Sequence, residues 1–211
     1  MLWSHHMVEI FGKKVSITLP ASAVEKPDVL RFTEHGAQFC DGSSAEFSTV
    51  IYATGYDYKF PFLSIDCGLS CNEKFVQPLY KHCININRPS MAIIGLPYFA
   101  LANPMFDLQV RFCLTFMMHK KQLPSVNEML EDTEIDMKER RARLKRHKLH
   151  FLGMEKHQQY YDDLATTAGI EPIKFVVGNI FNQSFANFFE DFNNFRNFDF
   201  KIVDDKSFIV S

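Results

Sequence analysis

The 211-residue sequence predicts an α/β fold with a helical C-terminal region. Roughly the first 60 residues contain short apolar runs separated by glycine-containing turns, which is typical of β-strands. Residues Met91–Gly95 form a continuous apolar run, as in a central parallel strand that is covered on both faces. Beyond Asn103, apolar residues recur at the helical period. We therefore expect strands before Asn103 and mainly helices after it.

Two hairpins are predicted in the N-terminal part. The segment VEIFGKKVSITLP indicates two short strands around Gly12-Lys13. Further along, Asp41-Gly42 lies between AQFC and EFSTVIYA. An Asp-Gly pair between two apolar runs is a strong signal for a tight hairpin turn.

A strand is also predicted over Val50–Ala53. It stops at Ala53, Thr54 and Gly55, which are small enough for another backbone or a bulky ligand to approach closely. Met91–Ile94 is a second short apolar run, separated from the first by an excursion of the chain. We expect the two runs to be neighbouring strands of a parallel or mixed sheet, with the next helix packed beside them.

That helix should begin at Asn103-Pro104, because Asn is a good N-cap and Pro is favoured at the first helical position. It should end near His119-Lys120-Lys121, since basic side chains suit a helix C-terminus. Leu123-Pro124 then interrupts the helical pattern.

Three more helical segments follow. Ser125 and Glu128 have the spacing of a capping box and predict a long charged helix that reaches about His150. Another helix should cover Glu155–Ala168, with Gly169 as its C-terminal stop. Phenylalanines at positions 185, 188, 189, 192 and 195 have helical spacing and indicate a core or an interface.

The composition is that of a soluble globular protein. Hydrophobic residues make up 46% of the chain, and the net charge of −2 provides no general attraction to nucleic acid or anionic membranes. No apolar run is long enough for a transmembrane segment, and the N-terminal residues lack a signal-peptide pattern. The five cysteines have no CxxC spacing, so we expect reduced thiols, no metal site and a cytoplasmic location.

Two charged motifs are candidate sites. The basic segment Lys138–Lys148 follows an acidic stretch, an order that suits a helix dipole and favours a solvent-exposed helix over an RNA-binding one. Lys81-His82 resembles an acid–base pair, but packing with a solvated lysine is the more economical interpretation.

Gln109 is the most informative polar residue of the helix after Asn103. Helical geometry places its side chain among Met105, Phe112, Cys113 and Phe116, on a different side from the Asp107–Arg111 pair. An unpaired amide there would cost about 1–3 kcal/mol, so backbone, another side chain or a ligand must supply hydrogen bonds.

The segment VIYATGYDYKFPFL at residues 50–63, preceded by the Asp41-Gly42 hairpin, resembles the ATGY region of flavin-containing monooxygenases. There the chain returns from the NADPH-binding domain to the FAD-binding domain. Residues 77–125 resemble the next stretch of the same family, with a Leu-Tyr-Lys-His element, a strand ending in Ile-Gly and an acidic-Leu-Gln triplet. Gln159-Tyr160-Tyr161 is similar to the insect-type branch.

The resemblance implies a fold, a function and a site. The fold would be the C-terminal part of a Rossmann-like flavoprotein with two dinucleotide-binding domains. Residues 1–48 would end the NADPH-binding domain, 49–125 would belong to the FAD-binding domain, and 126–211 would be a helical extension. The implied cofactors are FAD and NADPH, with Gln109, Thr54 and Gly55 at the cofactor cleft. The substrates would be molecular oxygen and a small molecule with a soft nitrogen or sulfur nucleophile.

No glycines of this chain have the GxGxxG or GxGxxA spacing that forms the phosphate cradle of a Rossmann unit. We therefore interpret the sequence as the C-terminal portion of such an enzyme, inactive alone and prone to associate through exposed apolar surface. Two alternatives stay open, a non-catalytic interaction protein derived from the family and a nucleic-acid binder that uses its basic helix.

Overall fold

The computed structural model describes residues 2–3, 8–10, 13–15, 22–53, 55–72, 75–144, 149–153 and 156–211. The chain divides into two compact units. The first comprises Met1–Gly55 and Asn179–Ser211, and the second comprises Tyr56–Gly178.

Short strands are the regular secondary structure of the described residues before Gly55. In chain order they are β1 (Leu2–Trp3), β2 (Val8–Ile10), β3 (Lys13–Val15), β4 (Val24–Glu25), β5 (Val29–Thr33), β6 (Gly36–Phe39) and β7 (Ser44–Glu46). Strands β2 and β3 pair antiparallel, as predicted around Gly12-Lys13. Strands β6 and β7 pair across the turn at Asp41-Gly42, so that hairpin prediction is also confirmed. Gly42 has a φ of +83°, which explains the need for glycine there.

In the second unit, two hairpins precede three helices. The strands are β8 (Ser70–Asn72), β9 (Phe75–Gln77), β10 (Leu79–Tyr80) and β11 (Ile84–Asn85), paired β8–β9 and β10–β11. The helices are α1 (Ala102–Met117), α2 (Val126–Arg143) and α3 (His157–Ala168). A fourth helix, α4, covers Phe175–Glu190.

The prediction for α1 is correct in existence and wrong in detail. Leu101 occupies the N-cap position without a side-chain hydrogen bond, and Asn103 lies inside the first turn. Pro104 is tolerated there because first-turn N–H groups have no partner within the helix. The helix ends at Met117, since His119 adopts a φ of +57° and turns the chain in the manner of a C-terminal glycine.

The start of α2 and the end of α3 were predicted correctly. Ser125 and Glu128 form the capping box in both directions, and Gly169 ends α3 with a φ of +67°. The expected extent of α2 to His150 is wrong, because the helix ends at Arg143. His150 instead lies in a turn whose backbone pairs with Tyr98.

The two predicted central strands are absent from the described residues. Val50–Ala53 has no strand pairing and is exposed, while Thr54 lies outside the described residues. Met91–Ile94 makes one antiparallel bridge, between Ala92 and Ile84, and no ladder. An apolar run becomes a strand only when a partner presents free backbone groups. Val50–Ala53 has no such partner among the described residues, and Met91 and Ile93 bond to Asn85 and Cys83 through two backbone hydrogen bonds without forming a longer ladder.

The C-terminal region is only partly helical, which corrects the predicted helical extension. Residues after α4 form a further hairpin of β12 (Phe200–Ile202) and β13 (Phe208–Val210). Its turn is held by Asp204, whose carboxylate accepts hydrogen bonds from the backbone N–H groups of Lys206 and Ser207. The phenylalanines at 185, 188, 189, 192 and 195 contact one another edge to face or stacked, as half-buried side chains.

The core of the second unit forms where α1 and α3 pack on the β10–β11 hairpin. Its largest fully buried side chains include Phe112, Leu108, Tyr161 and Ile84. Cys83 and Cys113 belong to the same core, and none of the five cysteines forms a disulfide in the structure.

A buried histidine pair is the main polar feature beside this core. The backbone N–H of Val76 donates to Nε2 of His150 over 3.2 Å, so the proton of a neutral His150 is on Nδ1. Nδ1 of His150 lies 3.0 Å from Nδ1 of His82, which must then accept. The remaining His82 proton, on Nε2, points at the Asp136 carboxylate over 3.0 Å. One tautomer of each ring therefore satisfies the whole chain of hydrogen bonds.

The charges around the pair favour this neutral arrangement. Burial lowers the pKa of His82, and burial together with His82 and Arg140 lowers the pKa of His150 to about 2. Burial alone would raise the pKa of Asp136, but the hydrogen bond from His82 and the charge of Arg140 outweigh it and hold that pKa below its usual range. An added proton on either ring would break at least one bond of the chain.

We predict that the chain loses stability as the pH falls below about 7. Unfolding returns both histidines to the ordinary pKa of 6.5, so the unfolded chain binds more protons than the folded one below that value. The free energy of unfolding should then decrease by up to about 1.4 kcal/mol per pH unit for each neutral histidine. Urea denaturation between about pH 5 and pH 8 measures this slope.

His150→Gln should flatten the slope, because it removes one of the two buried titrating groups. His35→Gln is the matched control, since His35 is exposed in a turn, and it should leave the slope unchanged. An identical pH dependence in His150→Gln and the unaltered chain would contradict the assignment.

Several large apolar side chains are exposed on each unit. Ile51 of the first unit is 81% exposed, and Ile65 and Phe62 of the second are 93% and 80% exposed. Scattered exposed apolar residues are ordinary, but isoleucines with so little contact are candidates for association.

We predict that the isolated chain binds a dye specific for exposed apolar surface and self-associates at micromolar concentration. The double variant Ile51→Glu, Ile65→Glu should bind less dye and sediment more nearly as a monomer. Val203→Glu, at an exposed position near the end of β12, is the control with the same kind of added charge. A dye-negative, monodisperse unaltered chain would show the prediction to be wrong.

Candidate functional site

Gln109 lies on the buried face of α1, as helical geometry predicted. Its side chain has no exposed surface, and Leu108, Phe112 and Cys113 on either side of it along the helix are also buried. An amide in such surroundings is stable only when both of its ends are hydrogen-bonded.

Both ends of the amide have partners inside the second unit. The backbone N–H of Gly95 donates to Oε1 of Gln109 over 2.9 Å. Nε2 of Gln109 donates to the Tyr160 hydroxyl over 2.7 Å, and that hydroxyl donates to the Lys81 carbonyl over 2.9 Å. We call these four residues the amide relay. It joins α1, α3, the turn after β10 and the segment before α1.

The Tyr160 hydroxyl stays protonated in this setting. Burial raises its pKa well above the ordinary value of 10.0, and the nearby thiol of Cys83 adds to the effect. A neutral phenol has one proton to donate and lone pairs to accept, which suits its place between an amide nitrogen and a carbonyl.

The turn that carries the Lys81 carbonyl has an unusual backbone. Lys81 and His82 have φ values of +50° and +59°, and the N–H of Cys83 bonds to the Tyr80 carbonyl over 3.1 Å. Positive φ at both central positions is typical of type I′ hairpin turns and favours Gly or Asn. Two other residues there cost roughly 1–2 kcal/mol each, so neighbouring contacts must hold the turn.

Lys81 supplies one of those contacts, which corrects the expectation of a solvated lysine. Its ammonium lies 2.8 Å from a carboxylate oxygen of Asp132 on α2 and 2.8 Å from one of Asp163 on α3. Burial lowers the pKa of Lys81, but the hydrogen bonds to the two carboxylates outweigh burial and raise it above its ordinary value. The side chain is a clamp between two helices, and His82 holds the other half of the turn through Asp136.

Gly95 is the end of the amide relay that reaches the surface. It is partly exposed and has a φ of +86°, and a Cβ added there would come within 2.9 Å of the Phe106 ring. The next carbonyl, that of Leu96, accepts a hydrogen bond from the Tyr58 hydroxyl. We call residues 95–99 the Gly95 loop. Its conformation depends on glycine at position 95, on the hydrogen bond from Gly95 to Gln109 and on the hydrogen bond from Tyr58 to Leu96.

The other two predicted site residues lie elsewhere in the chain. Thr54 is outside the described residues. Gly55 is exposed, has a φ of +86° and has no heavy atom within 4 Å of the place where a Cβ would lie, so its requirement for glycine comes from backbone conformation. Gln109 and Gly55 belong to different units, and the structure describes each within its own unit.

Tyr160 and the Lys81 clamp were missed as parts of a site by sequence reasoning. A signal for Tyr160 exists, because Tyr160, Tyr161 and Leu164 recur on the face of α3 that a helical pattern buries. The partners of Lys81 come from two other helices and give no local signal.

The described part of the chain gives no support to a metal site, a membrane-spanning helix or a nucleic-acid-binding helix. It contains no group of three metal-ligating side chains and no helix that is long and apolar enough to cross a membrane. On α2, Arg140 is buried and bonded to Asp136 and to the carbonyls of Leu149 and Phe151, so it is engaged inside the protein.

Comparisons with known proteins agree on one family. The sequence profile of the flavin-binding monooxygenase-like family matches residues 13–184. Senecionine N-oxygenase of Tyria jacobaeae is 33% identical over 99% of this chain and 46% of its own length. Flavin-containing monooxygenase 3 of Rattus norvegicus is 36% identical over 70% of this chain and 28% of its own.

Solved structures lead to the same fold. S-allyl-L-cysteine S-oxygenase from Allium sativum aligns with a TM-score of 0.74 at 25% identity, over 84% of this chain and 41% of that one. Tmm from Pelagibacter, at 23% identity and a TM-score of 0.71, shares the fold. The chain spans less than half the length of these relatives. Since the profile covers most of its residues, the chain belongs to the flavin-binding monooxygenase-like family.

Proposed function

We propose that this chain forms the C-terminal half of a monooxygenase that uses FAD, NADPH and molecular oxygen to oxygenate soft nitrogen or sulfur nucleophiles. The observation that carries the proposal is the similarity to senecionine N-oxygenase along 99% of the chain. The name of that relative specifies oxygenation at nitrogen, and that of the Allium sativum enzyme specifies oxygenation at sulfur. Both classes of small molecule are therefore candidate substrates.

Two glycines of the described residues are candidates for backbone contact with a bulky ligand, each within its own unit. Gly55 is exposed and has no heavy atom within 4 Å of the place where a Cβ would lie, and Gly95 is partly exposed. The phosphate groups of FAD and NADPH would be held by the other half, because no GxGxxG occurs in this sequence.

Thr54, Gly55 and Gln109 are the proposed site residues. When bound, FAD would supply the redox chemistry of the reaction, with electrons from NADPH. This chain would supply shape and hydrogen bonds: Gly55 would offer exposed backbone, and Gln109 would hold the Gly95 loop in place. The dense core behind α1 would exclude water from that side.

A non-catalytic interaction protein is the second candidate. The observation in its favour is the exposure of Ile51 and Ile65, which a partner could cover. Restoring the missing half of the enzyme separates the two candidates, since an interaction protein would retain no flavin even when both halves are present.

The test is a chimera in which the N-terminal half of the Tyria jacobaeae relative is joined to residues 1–211. We expect the purified chimera to be yellow and to consume NADPH in the presence of a tertiary amine or a thioether, with formation of the N-oxide or S-oxide. The isolated 211-residue chain, as control, should be colourless and inactive. A folded, colourless chimera would contradict the proposal and favour the interaction protein.

A second prediction concerns Gln109→Leu in the same chimera. Leucine has nearly the volume of glutamine but leaves the Gly95 N–H without its acceptor and removes the donor to the Tyr160 oxygen, which keeps only its bond to the Lys81 carbonyl. We expect a loss of about 1–3 kcal/mol in the free energy of unfolding. We also expect more NADPH consumed per product, with the difference released as peroxide.

The control variant is Gln122→Leu, which removes an exposed amide before α2 and should change neither quantity. Lowered stability of Gln109→Leu with unchanged coupling of NADPH to product would remove Gln109 from the proposed site.

A further inference from the structure

The complete burial of Gln109 limits how it can act. This chain spans less than half the length of its relatives, yet the Gln109 side chain already has no exposed surface. Adding the missing half or a cofactor can only cover more surface. An atom with no exposed area in the shorter chain cannot be in contact with a ligand that is added to the same conformation. Any effect of Gln109 on a ligand must therefore pass through its neighbours.

The direction of each hydrogen bond in the amide relay is fixed by chemistry. The Lys81 carbonyl can only accept, so the Tyr160 hydroxyl uses its single proton there. The hydroxyl oxygen must then accept from Gln109, which places Nε2 on that side. The Gly95 N–H can only donate, and it meets Oε1 at the other end. Both ends thus select the same orientation of the amide.

The two ends of the relay differ in their surroundings. At one end is the Lys81 carbonyl, in a turn held by two aspartates and by the His82–Asp136 bond. At the other end is Gly95, which is partly exposed and starts a loop in which Phe99 also has a positive φ, of +60°. Tyr160 lies between the two ends.

We propose that Tyr160 is a positioning residue that orients the Gln109 amide and thereby holds the Gly95 N–H and the Gly95 loop in place. The relay itself follows from contacts within the second unit. Its value for catalysis rests on the proposed function, in which the Gly95 loop faces the cofactors.

The matched variants are Tyr160→Phe and Tyr161→Phe in the 211-residue chain. Both remove one hydroxyl from α3, but the Tyr161 hydroxyl accepts from the Leu101 N–H and does not touch Gln109. Hydrogen exchange of assigned backbone amides is the measurement. In Tyr160→Phe, the Gly95 amide should exchange about fivefold faster or more, which corresponds to roughly 1 kcal/mol for one lost hydrogen bond.

Tyr161→Phe should leave Gly95 exchange unchanged and accelerate that of Leu101. Equal acceleration of Gly95 in both variants would indicate a general loss of stability and overturn the proposal. Unchanged exchange of Gly95 in Tyr160→Phe would overturn it as well.

One measurement on the unaltered chain keeps the test valid if Tyr160→Phe does not fold. The side-chain amide protons of Gln109 should show nuclear Overhauser effects to the Tyr160 ring. Effects that place those protons beside the Gly95 amide instead would mean the reverse orientation and would overturn the proposal.

The chimera separates this inference from the proposed function. There, Tyr160→Phe should release more peroxide per NADPH while flavin content stays constant, and Tyr161→Phe should not. If Gly95 exchanges as expected in both variants but the chimera is inactive, the proposed function is contradicted and the relay is not. If the chimera is active but Tyr160→Phe changes neither the hydrogen exchange of Gly95 nor the coupling of NADPH consumption to product, the relay is contradicted and the proposed function is not.

Discussion

The turn at Lys81-His82 is the constraint on which the second unit depends. Its two positive φ values are costly for residues with a Cβ, and they persist because side chains from α2 and α3 hold both residues. The Lys81 clamp, the histidine pair and the Tyr160 hydroxyl all meet at this turn. Helix α2, helix α3 and the turn at His150 are far apart in sequence, and all three are positioned by contacts with this strained pair of residues.

The polar groups beside this turn form two networks. The histidine pair and Asp136 bond to each other, to Val76 and to Arg140. The amide relay instead ends at Gly95, which is partly exposed. A buried hydrogen-bond network that reaches the surface at one backbone group can fix the position of that group for a ligand that binds there. The histidine network also reaches the surface, at the Asp136 carboxylate, whose side chain is 39% exposed.

Sequence patterns predicted the structure correctly where it depends on neighbouring residues. The capping box at Ser125 and Glu128, the Asp41-Gly42 turn and the Gly169 stop depend only on residues a few positions apart, and all three were predicted. The burial of Gln109 follows from helical geometry alone and was predicted as well. The segments that carry the family resemblance, 50–63, 77–125 and 159–161, lie within the region that the profile matches.

Sequence patterns did not predict the structure where it depends on residues that are distant in the sequence. Val50–Ala53 has strand-forming residues, but no described segment offers it a ladder, and the partner of a strand cannot be read from the strand itself. The β12–β13 hairpin was not predicted from the sequence. The identity of the second partner of Gln109, 51 residues away, likewise required the fold.

The amide relay also explains why position 109 carries glutamine, without reference to a ligand. The site needs an acceptor toward Gly95 and a donor toward Tyr160 on one side chain of this length. Glutamate would accept at both ends, so the single Tyr160 proton could serve either the carboxylate or the Lys81 carbonyl but not both. Methionine or leucine would remove the acceptor of the Gly95 N–H and the donor to the Tyr160 oxygen. A polar residue within a family motif can therefore be required by an internal network, and its importance for catalysis does not imply contact with the cofactor.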